Sequence, residues 1–298
     1  MKSLLIFLSL FLSITTVPIT EEYLTNLQKT SSFEVYSYDE HPFKDFDEVV
    51  PFLGISSWAL QDTSDMEYGA TNADLPESFD ARQEWPNCIH PIRDQKSCGS
   101  CWAFAASEVL SDRICIATKG ETDVVLSPQH LVSCDPFDQG CNGGFPLLTW
   151  IYLRFFGIVS DQCKPYTSGQ GEVPKCKHLS DECTQKGVEY KKYYAKNFYF
   201  LLTKNKIKED IMENGPVESG FMVYDDLVSY KSGIYKKGAD AKFVGGHAVK
   251  IVGWGKENDT EYWIVANSWG TGWGEKGFFR IAFGECGIEF IMAGQPKV

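Results

Sequence analysis

Basic residues are scarce in this sequence. Its 298 residues include 28 Lys and Arg but 40 Asp and Glu, which gives a formal net charge of −12 at pH 7. Binding to nucleic acid needs a basic surface that neutralises phosphates, so this balance argues against nucleic acid as a partner. Long apolar runs are also missing beyond the amino terminus. We therefore expect no membrane-spanning segment in the body of the chain.

The amino terminus carries the one pronounced apolar run. Residues 4–14, "LLIFLSLFLSI", follow Lys2 and are too few to span a bilayer comfortably. Small residues and Pro18 come next. This pattern predicts a secretory signal peptide over residues 1–17, with an anchor helix as the alternative. We expect the chain to enter the secretory pathway and to reach a lysosome-like vacuole or be secreted.

Cysteine is absent before Cys88, and ten cysteines follow from there on. In an exported chain they predict disulfides. If one of the ten is a nucleophile, at least one other must remain unpaired. The cysteine-free residues 18–74 are polar and acidic, which fits a removable pro-region or an ordinary amino-terminal extension. Residues 75–298 would then form the mature domain.

Helical and strand-like patterns occupy different parts of the chain. "CWAFAASEVLSDRICIA", from Cys101, has apolar residues at helical spacing. From about residue 215, short apolar runs separated by glycines, such as "HAVKIVGWG", are typical of strands. We predict an α+β fold with a helical lobe over about 87–197, a strand-rich lobe over about 198–285 and a tail over 286–298. A cleft is expected where the lobes meet.

Two cysteines, Cys98 and Cys101, stand close together in "QKSCGSCWAF". Their spacing suits a thiol–disulfide oxidoreductase, half of a zinc site, or one structural and one reactive cysteine. A thioredoxin-like pair should lie near a βαβ unit, and a four-cysteine zinc site needs a second close pair. Neither pattern is evident in the sequence. In the third interpretation Cys101 begins a helix, whose amino-terminal partial charge favours the thiolate.

A thiolate nucleophile needs a proton partner, which is normally histidine. The candidates are His41, His90, His130, His178 and His247. His247 stands out because it follows two glycines at the start of an apolar strand. Asn267, at the end of another strand-like run, could accept a hydrogen bond from the ring. Trp269 could shield that bond from water.

Together these residues carry a family resemblance. "CGSCW", "GGHAV" and "NSWG" resemble the papain-like cysteine proteases. "FDARQEWPNC", "CNGGFP" and "CGIE" are similar to the cathepsin B-like branch, and the likeness runs from residue 75 to the end of the chain. The resemblance implies a papain-like two-lobed fold, with a helical lobe and an antiparallel β-barrel-like lobe on either side of the cleft. It implies no metal and no organic cofactor.

The resemblance also implies a role for each catalytic residue. Cys101 would attack the scissile carbonyl, and His247 would transfer the proton. Asn267 would hold the imidazole, and Gln95 would donate to the oxyanion. A thiolate–imidazolium pair of this kind typically lowers the pKa of the thiol to roughly 3–4.

Substrate binding and disulfide pairing follow from the same resemblance. The implied substrate-binding residues are Gly143, Gly144, Phe145, Pro146, Gly220, Ala248, Ile291, Trp269 and Trp273. Ile291 or Phe290 would lie near the floor of the main specificity pocket, where the lack of a carboxylate favours apolar substrate side chains. Trp273 would form a wall on the leaving-group side. The implied disulfides are Cys88–Cys115, Cys98–Cys141, Cys134–Cys176 and Cys163–Cys183, which leaves Cys286 free.

Some positions depart from the family pattern. Lys96 stands where glycine is usual, which implies an ordinary backbone conformation there. The segment between Cys163 and Cys183 is shorter than the occluding loop of cathepsin B and has no adjacent histidine pair. We therefore expect an open cleft and endopeptidase activity, with His178 as the one ring that could substitute. "PFLG", at 51–54, is similar to the part of the cathepsin B pro-region that crosses the cleft.

The expected partners are protein and peptide substrates, the chain's own pro-peptide as an inhibitor, and cystatin-like or epoxide-type inhibitors. A monomer is expected. Two other functions are considered, a catalytically silent binding homologue and a thiol–disulfide oxidoreductase. A silent homologue usually lacks the nucleophile or the histidine, and both are present. An oxidoreductase would leave Gln95, His247 and Asn267 unexplained.

Overall fold

This computed structural model describes residues 17–55, 75–176 and 182–298. Numbered in chain order, the helices are α1 (Glu21–Thr30), α2 (Ala81–Glu84), α3 (Cys101–Ala117), α4 (Pro128–Cys134), α5 (Pro146–Phe155), α6 (Lys204–Asn214) and α7 (Asp225–Val228). The strands are β1 (Phe33–Val35), β2 (Phe79–Asp80), β3 (Ile158–Val159), β4 (Lys192–Tyr193), β5 (Tyr199–Leu201), β6 (Val217–Tyr224), β7 (Tyr230–Tyr235), β8 (Phe243–Glu257), β9 (Thr260–Ala266), β10 (Phe278–Ala282) and β11 (Phe290–Ala293).

Helix α3 is the central element of the helical lobe. From Cys101 to Cys115 every side chain is buried, so the helix is covered on all sides rather than along one stripe. Helix α4 follows Ser127, whose hydroxyl accepts the N–H of His130 at 2.9 Å and caps the helix. Helix α5 stops just before Gly157, which has a φ of 71° that glycine adopts readily. The three helices share one apolar core.

A nine-stranded sheet forms most of the second lobe. Its order is β1-β7-β10-β9-β8-β6-β11-β5, and β2 also pairs with β8. Neighbouring strands run antiparallel except for β7 and β10, which are parallel. Strands β6 and β8 are buried along most of their length. This follows because α3 packs on one side of them and the apolar core of the sheet lies on the other.

The sheet includes residues that the sequence analysis had assigned elsewhere. Strand β11 falls within the expected tail, residues 286–298, yet it pairs with β5 on one side and β6 on the other. Three of its four residues are buried, so an apolar run this close to the chain end still needs covering partners. The tail assignment is therefore wrong for these residues. Strand β1 comes from residues 18–74 and nevertheless pairs with β7.

A buried ion pair joins the two lobes. Lys250 Nζ on β8 lies 2.7 Å from Asp112 Oδ2 on α3 and 3.4 Å from Glu108 Oε2. All three side chains are at most slightly exposed. A buried charge left without its partner costs about 3–5 kcal/mol, so this contact holds β8 against α3. These two elements carry the candidate histidine and the candidate nucleophile.

Four disulfides are present, and they pair the cysteines as the resemblance implied. They are Cys88–Cys115, Cys98–Cys141, Cys134–Cys176 and Cys163–Cys183. Cys101 and Cys286 are free and buried. In the described ranges, no helix combines the length and the apolar character needed to cross a membrane.

Candidate active site

Cys101 is the first residue of α3, and its side chain is fully buried. It belongs to an apolar cluster with Ile55, Ala105 and Ala248. Burial raises the pKa of Cys101 to about 12, while nearby backbone groups, first those of Ala248 and Gly54, act in the opposite direction. Because Ala248 lies on β8, the thiol packs against the strand that carries the candidate histidine.

The imidazole of His247 is held by Asn267. Nε2 of His247 lies 2.8 Å from Oδ1 of Asn267. The same Oδ1 accepts the backbone N–H of Ser268 at 2.8 Å, so it acts as an acceptor and the proton lies on Nε2. Nδ1 is buried and has no hydrogen-bond partner in the described part of the chain. The Phe52 carbonyl nevertheless lies near the ring and acts to raise its pKa, against the larger effect of burial. The Trp269 ring covers the pair, with its centroid 5.0 Å from that of His247.

The side-chain amide of Gln95 is oriented from both ends. Its Oε1 accepts the hydroxyl of Ser268 at 2.6 Å, and its backbone N–H donates to the Ser268 carbonyl at 2.9 Å. Its Nε2 donates to the carbonyl oxygens of Cys98 at 2.8 Å and of Phe52 at 2.9 Å. A carbonyl from the amino-terminal segment thus accepts from the amide expected to polarise a substrate. Sequence reasoning missed Ser268, although its place in "NSWG" was an available signal.

The thiolate–imidazolium pair expected from the resemblance is not the state that this structure favours. Burial lowers the pKa of His247 to about 4, against smaller raising effects from Asn267 and the Phe52 carbonyl. Burial also raises the pKa of Cys101 to about 12. Both shifts work against the charged forms. The reason is that residues 50–55 lie in the cleft and keep water from both charged forms.

Gly54 passes directly over the nucleophile. Its N–H donates to the Gly246 carbonyl at 3.0 Å, and its own carbonyl accepts the N–H of Gly144 at 2.7 Å. A Cβ placed on Gly54 would lie 2.2 Å from the carbonyl oxygen of Gly99 and 3.2 Å from Sγ of Cys101. Only a residue without a side chain can approach this closely.

The rest of the amino-terminal segment extends the apolar core of the sheet. Its buried apolar residues in that core are Ile19, Leu24, Phe33, Val35, Tyr36, Phe43 and Val49. The rings of Phe43 and Phe52 lie 6.0 and 5.8 Å from that of Trp269. His41 is 5% exposed; its Nδ1 lies 2.8 Å from the Phe43 carbonyl oxygen and 3.1 Å from the Phe43 nitrogen, and its Nε2 lies 3.1 Å from the Ser229 hydroxyl. The segment therefore docks to a large extent through ordinary core packing.

The expected specificity pocket draws residues from both lobes. Phe145 precedes α5 and Pro146 begins it. Gly220 and Ala248 are directly paired across β6 and β8. Phe290 on β11 pairs with Gly220, and its ring lies 6.1 Å from that of Phe145. The structure therefore brings together the four residues that the resemblance implied and Phe290, the alternative to Ile291.

Ile291 does not join them. It is 1% exposed and belongs to the core of the strand-rich lobe. Successive residues of a strand point to opposite faces, so the orientation that brings Phe290 beside Phe145 turns Ile291 away. Ile291 therefore does not join the residues expected around the pocket, and Phe290 lies beside them instead.

The two glycines expected to bind substrate backbone are sterically required. Gly143 has a φ of 113°, and a Cβ there would lie 2.7 Å from the Gly54 carbonyl oxygen. A Cβ on Gly144 would lie 2.5 Å from the ring of Trp102. The N–H of Gly144 already bonds the backbone of the segment in the cleft. Without side chains at Gly143 and Gly144, an extended chain can approach closely enough to form backbone hydrogen bonds there.

Two further expectations need correction. Lys96 has a φ of 52°, not an ordinary conformation, and its N–H donates to Asp94 Oδ1 at 2.9 Å. A left-handed non-glycine residue costs about 1–2 kcal/mol, which the surrounding loop must offset. Trp273 is buried behind Trp269, with ring centroids 4.9 Å apart, and donates to the Val228 carbonyl. Trp269, and not Trp273, provides the aromatic wall that contacts the segment in the cleft.

Glu218 is a buried carboxyl group that sequence reasoning missed. It lies on β6, and its Oε2 accepts the indole N–H of Trp150 at 2.6 Å. Burial raises its pKa well above the usual range. Burial therefore favours the neutral form of this carboxyl group.

The other histidines have structural surroundings. His90 lies between Asp112 and Asp123, at 2.6 and 2.9 Å. His130 is buried within α4. His178 lies outside the described residues. Across the described ranges, no group of three or more His, Cys, Asp or Glu side chains is arranged to hold a metal ion.

The parts of this site match the requirements of acyl transfer. They comprise a candidate nucleophile, a candidate base held in one tautomer and an amide placed as a candidate donor to a carbonyl oxygen. With cysteine as the nucleophile, they define the class of cysteine hydrolases.

Comparison with known proteins narrows that class. Residues 75–294 match the family described as "Papain family cysteine protease". A gut-specific cysteine proteinase of Caenorhabditis elegans is 45% identical over 251 residues, which cover 76% of this chain and 75% of that protein. Cathepsin B-like cysteine proteinase 4 of the same nematode is 42% identical over 256 residues, with 75% and 76% covered. The solved structure of proCathepsin B S9 from Trypanosoma congolense has a TM-score of 0.82 at 35% identity and covers 94% of this chain and 99% of its own.

The chain belongs to the papain family of cysteine proteases. The α+β fold and the cathepsin B-like resemblance predicted from the sequence are confirmed.

Proposed function

We propose that the processed chain is an endopeptidase in which Cys101, His247, Asn267 and Gln95 carry out the reaction. The observation that carries this proposal is the state of the His247 ring. Asn267 holds its protonated Nε2, which leaves the buried Nδ1 as the proton acceptor. His247 lies on β8, the strand that packs on Cys101 through Ala248.

The reaction follows from these roles. His247 Nδ1 takes the thiol proton, and the Cys101 thiolate attacks the scissile carbonyl carbon. The oxyanion accepts hydrogen bonds from Gln95 Nε2 and from the backbone N–H of Cys101. As the tetrahedral intermediate collapses, the imidazolium gives its proton to the leaving amine and a thioester remains. Water then attacks the thioester and passes a proton to Nδ1, and the thiolate is released.

We further propose that residues 18–74 are an inhibitory pro-peptide, with residues 1–17 as its signal peptide. Two effects would keep the zymogen inactive. Gly54 fills the space over Sγ, and the Phe52 carbonyl uses the Gln95 amide. Exclusion of water also favours the neutral thiol and imidazole over the reactive ion pair. Removal of the segment would restore both access and solvent.

The proposed specificity is for an apolar side chain in the pocket bounded by Phe145, Ala248 and Phe290. Ile55 supports this, since it shares an apolar cluster with Ala248, and Phe290 packs against that cluster. Endopeptidase rather than dipeptide-releasing activity is proposed because the loop between Cys163 and Cys183 is short. Protein substrates, cystatin-like and epoxide-type inhibitors, a monomeric state and a vacuolar or secreted location complete the proposal.

An active-site titration tests the proposed function. Processed enzyme should bind one equivalent of an epoxide-type inhibitor at Cys101, identified by peptide mass spectrometry, and should cleave internal bonds in a peptide library. Cys101→Ala should abolish both results, whereas Cys286→Ala, which removes the other free thiol, should abolish neither. Reduction of a disulfide substrate without peptide cleavage would instead favour an oxidoreductase. Labelling without any cleavage would favour a silent homologue.

A further inference from the structure

Strand β7 is an edge strand of the mature domain. On one side it pairs with β10 through Ile234 and Tyr235. On the other side, within the described residues, its partner is β1, residues 33–35 of the amino-terminal segment. Loss of that segment would leave a row of backbone N–H and C=O groups unpaired. Such an edge is a template for another extended chain. We call residues 229–235 the β7 edge.

The β7 edge distinguishes the side chains of the strand that it binds. Phe33 and Val35 are buried, and the Phe33 ring lies 5.2 Å from that of Tyr235 and 5.7 Å from that of Tyr230. Glu34 points outward between them. Because strand side chains alternate, the edge selects an apolar residue on either side of an exposed one.

The exposed position favours an acidic residue. The hydroxyl of Ser232 donates to Glu34 Oε2 at 2.6 Å, and Lys231 Nζ lies 3.2 Å from Glu34 Oε1. Both contacts lower the pKa of Glu34. A lysine in place of Glu34 would face Lys231 and lose both contacts. The preferred pattern is therefore apolar–acidic–apolar.

The bound strand needs no second strand beside it. Ser32 Oγ donates to the Ile234 carbonyl at 3.0 Å, and the Tyr36 N–H donates to the Ser229 carbonyl at 3.1 Å. On the far side of β1, the Val35 N–H is bonded by Gln28 Oε1 at 2.8 Å. One extended segment of about five residues can thus occupy the whole β7 edge.

We propose that the β7 edge of the processed enzyme is an exosite that binds an extended apolar–acidic–apolar segment of its protein substrates. The inference rests on the proposed peptidase function of the cleft. Residues 36–51 connect Val35 at the β7 edge to Phe52 at the Gln95 amide, so the two sites are separate and one chain can engage both. Phe43 and Phe52 approach along Trp269, beside the ring that protonates the leaving amine. The segment therefore belongs on the leaving-group side of the scissile bond.

A tethered substrate tests the exosite. The substrate is a quenched fluorogenic peptide with an apolar specificity residue, joined at its carboxyl end through a flexible linker of about 20 residues to the sequence Phe-Glu-Val. The matched control ends in Phe-Lys-Val. We take an effective concentration of the tethered motif at the exosite of about 1 mM and an exosite Kd of about 0.2 mM. The Phe-Glu-Val substrate should then show a KM about sixfold lower than that of a substrate without the motif, at unchanged kcat. The Phe-Lys-Val substrate should lose most of that gain.

A charge reversal on the enzyme provides the control. Lys231→Glu should remove the advantage of Phe-Glu-Val and transfer it to Phe-Lys-Val, while hydrolysis of a short substrate without a motif stays the same. Equal KM values for the two tethered substrates on the unmodified enzyme would overturn the proposal, whether or not both values are lower than that of the substrate without a motif.

A binding measurement separates the exosite from the cleft. Dye-labelled peptide SSFEVYSY, residues 31–38, should bind processed enzyme whose Cys101 is blocked by an epoxide, and Lys231→Glu should weaken that binding. The same peptide should not inhibit hydrolysis of the short substrate. Full competitive inhibition would identify it as a cleft ligand and overturn the exosite. Binding by an enzyme that cleaves no substrate would refute the peptidase proposal and still support the exosite.

Discussion

Gly54 is the point at which the amino-terminal segment comes closest to the nucleophile, and its replacement by alanine is the sharpest test of latency. The added Cβ would lie 2.2 Å from the carbonyl oxygen of Gly99 and 2.7 Å from its carbonyl carbon. These are backbone atoms tied to Cys141 through the Gly99 N–H, so they cannot yield as a flexible side chain would. The segment itself must move.

The size of the effect follows from what that movement breaks. Overpacking of a tight contact typically costs about 1–3 kcal/mol. Displacement also weakens the hydrogen bonds of Gly54 to Gly246 and Gly144, each with a net value of about 1 kcal/mol. A combined loss of about 3 kcal/mol raises the fraction of zymogen with an open cleft about 100-fold. The mature domain is unchanged by the substitution.

The open fraction can be measured on the intact zymogen. An epoxide-type inhibitor labels Cys101 only when the cleft is open, so the labelling rate, followed by mass spectrometry before processing occurs, should rise about 100-fold in Gly54→Ala. Val50→Ala, at a side chain that is 51% exposed in the same segment, should change the rate less than about twofold. Thermal unfolding of both variants checks that the mature domain is intact. A Gly54→Ala rate equal to that of the parent would refute the steric account of latency.

Other predictions concern the same site. Gln95→Ala should lower kcat about 100-fold, equivalent to about 3 kcal/mol, in steady-state assays, and a change below threefold would exclude it as an oxyanion donor. Burial lowers the pKa of His41, so docking of the segment is strongest above the free pKa of about 6.5 and weakens as pH falls below it. Lys44 adds to this lowering and Glu48 opposes it. His41→Gln should therefore flatten the rise in zymogen labelling between about pH 6.5 and pH 5, measured relative to processed enzyme, and an unchanged slope would contradict this role. Phe290→Glu should shift the ratio of kcat/KM for matched Arg and Leu substrates at least about tenfold toward Arg, whereas Ile291→Val should leave the ratio unchanged and lower stability by about 1 kcal/mol. A similar shift from both would refute the assignment of Phe290 to the pocket.

The buried segment also explains why the hydrogen bonds expected of His247 and Gln95 coexist with an environment that disfavours charge on His247 and Cys101. The hydrogen bonds of His247 and Gln95 are in place, so activation needs no rebuilding of the site. What must change is the dielectric environment of Cys101. Water entering after the segment leaves would favour both charged forms, which the same contacts then hold in position.

Local sequence was enough to predict the protease family and the class of fold. "CGSCW" sets Cys101 at a helix start, and the glycine-flanked histidine and "NSWG" supply the imidazole and the amide that holds it. These signals are short-range, because each depends on a few neighbouring residues and on the periodicity of a helix or strand. The signal-like run, the cysteine-poor segment and the helical and strand-rich halves could be recognised for the same reason.

Only the tertiary structure decided which side of a strand faced the cleft and what lay across it. The choice between Phe290 and Ile291 depends on how β11 pairs with β6, and a shift of one residue would reverse it. The Ser268 hydroxyl on Gln95 and the Lys250–Asp112 pair join residues far apart in the chain. The burial that raises the pKa of Cys101 involves Ile55, which lies in a different segment altogether. Sequence thus determined which groups are available, while long-range packing determined their orientation, their exposure to water and their charge state.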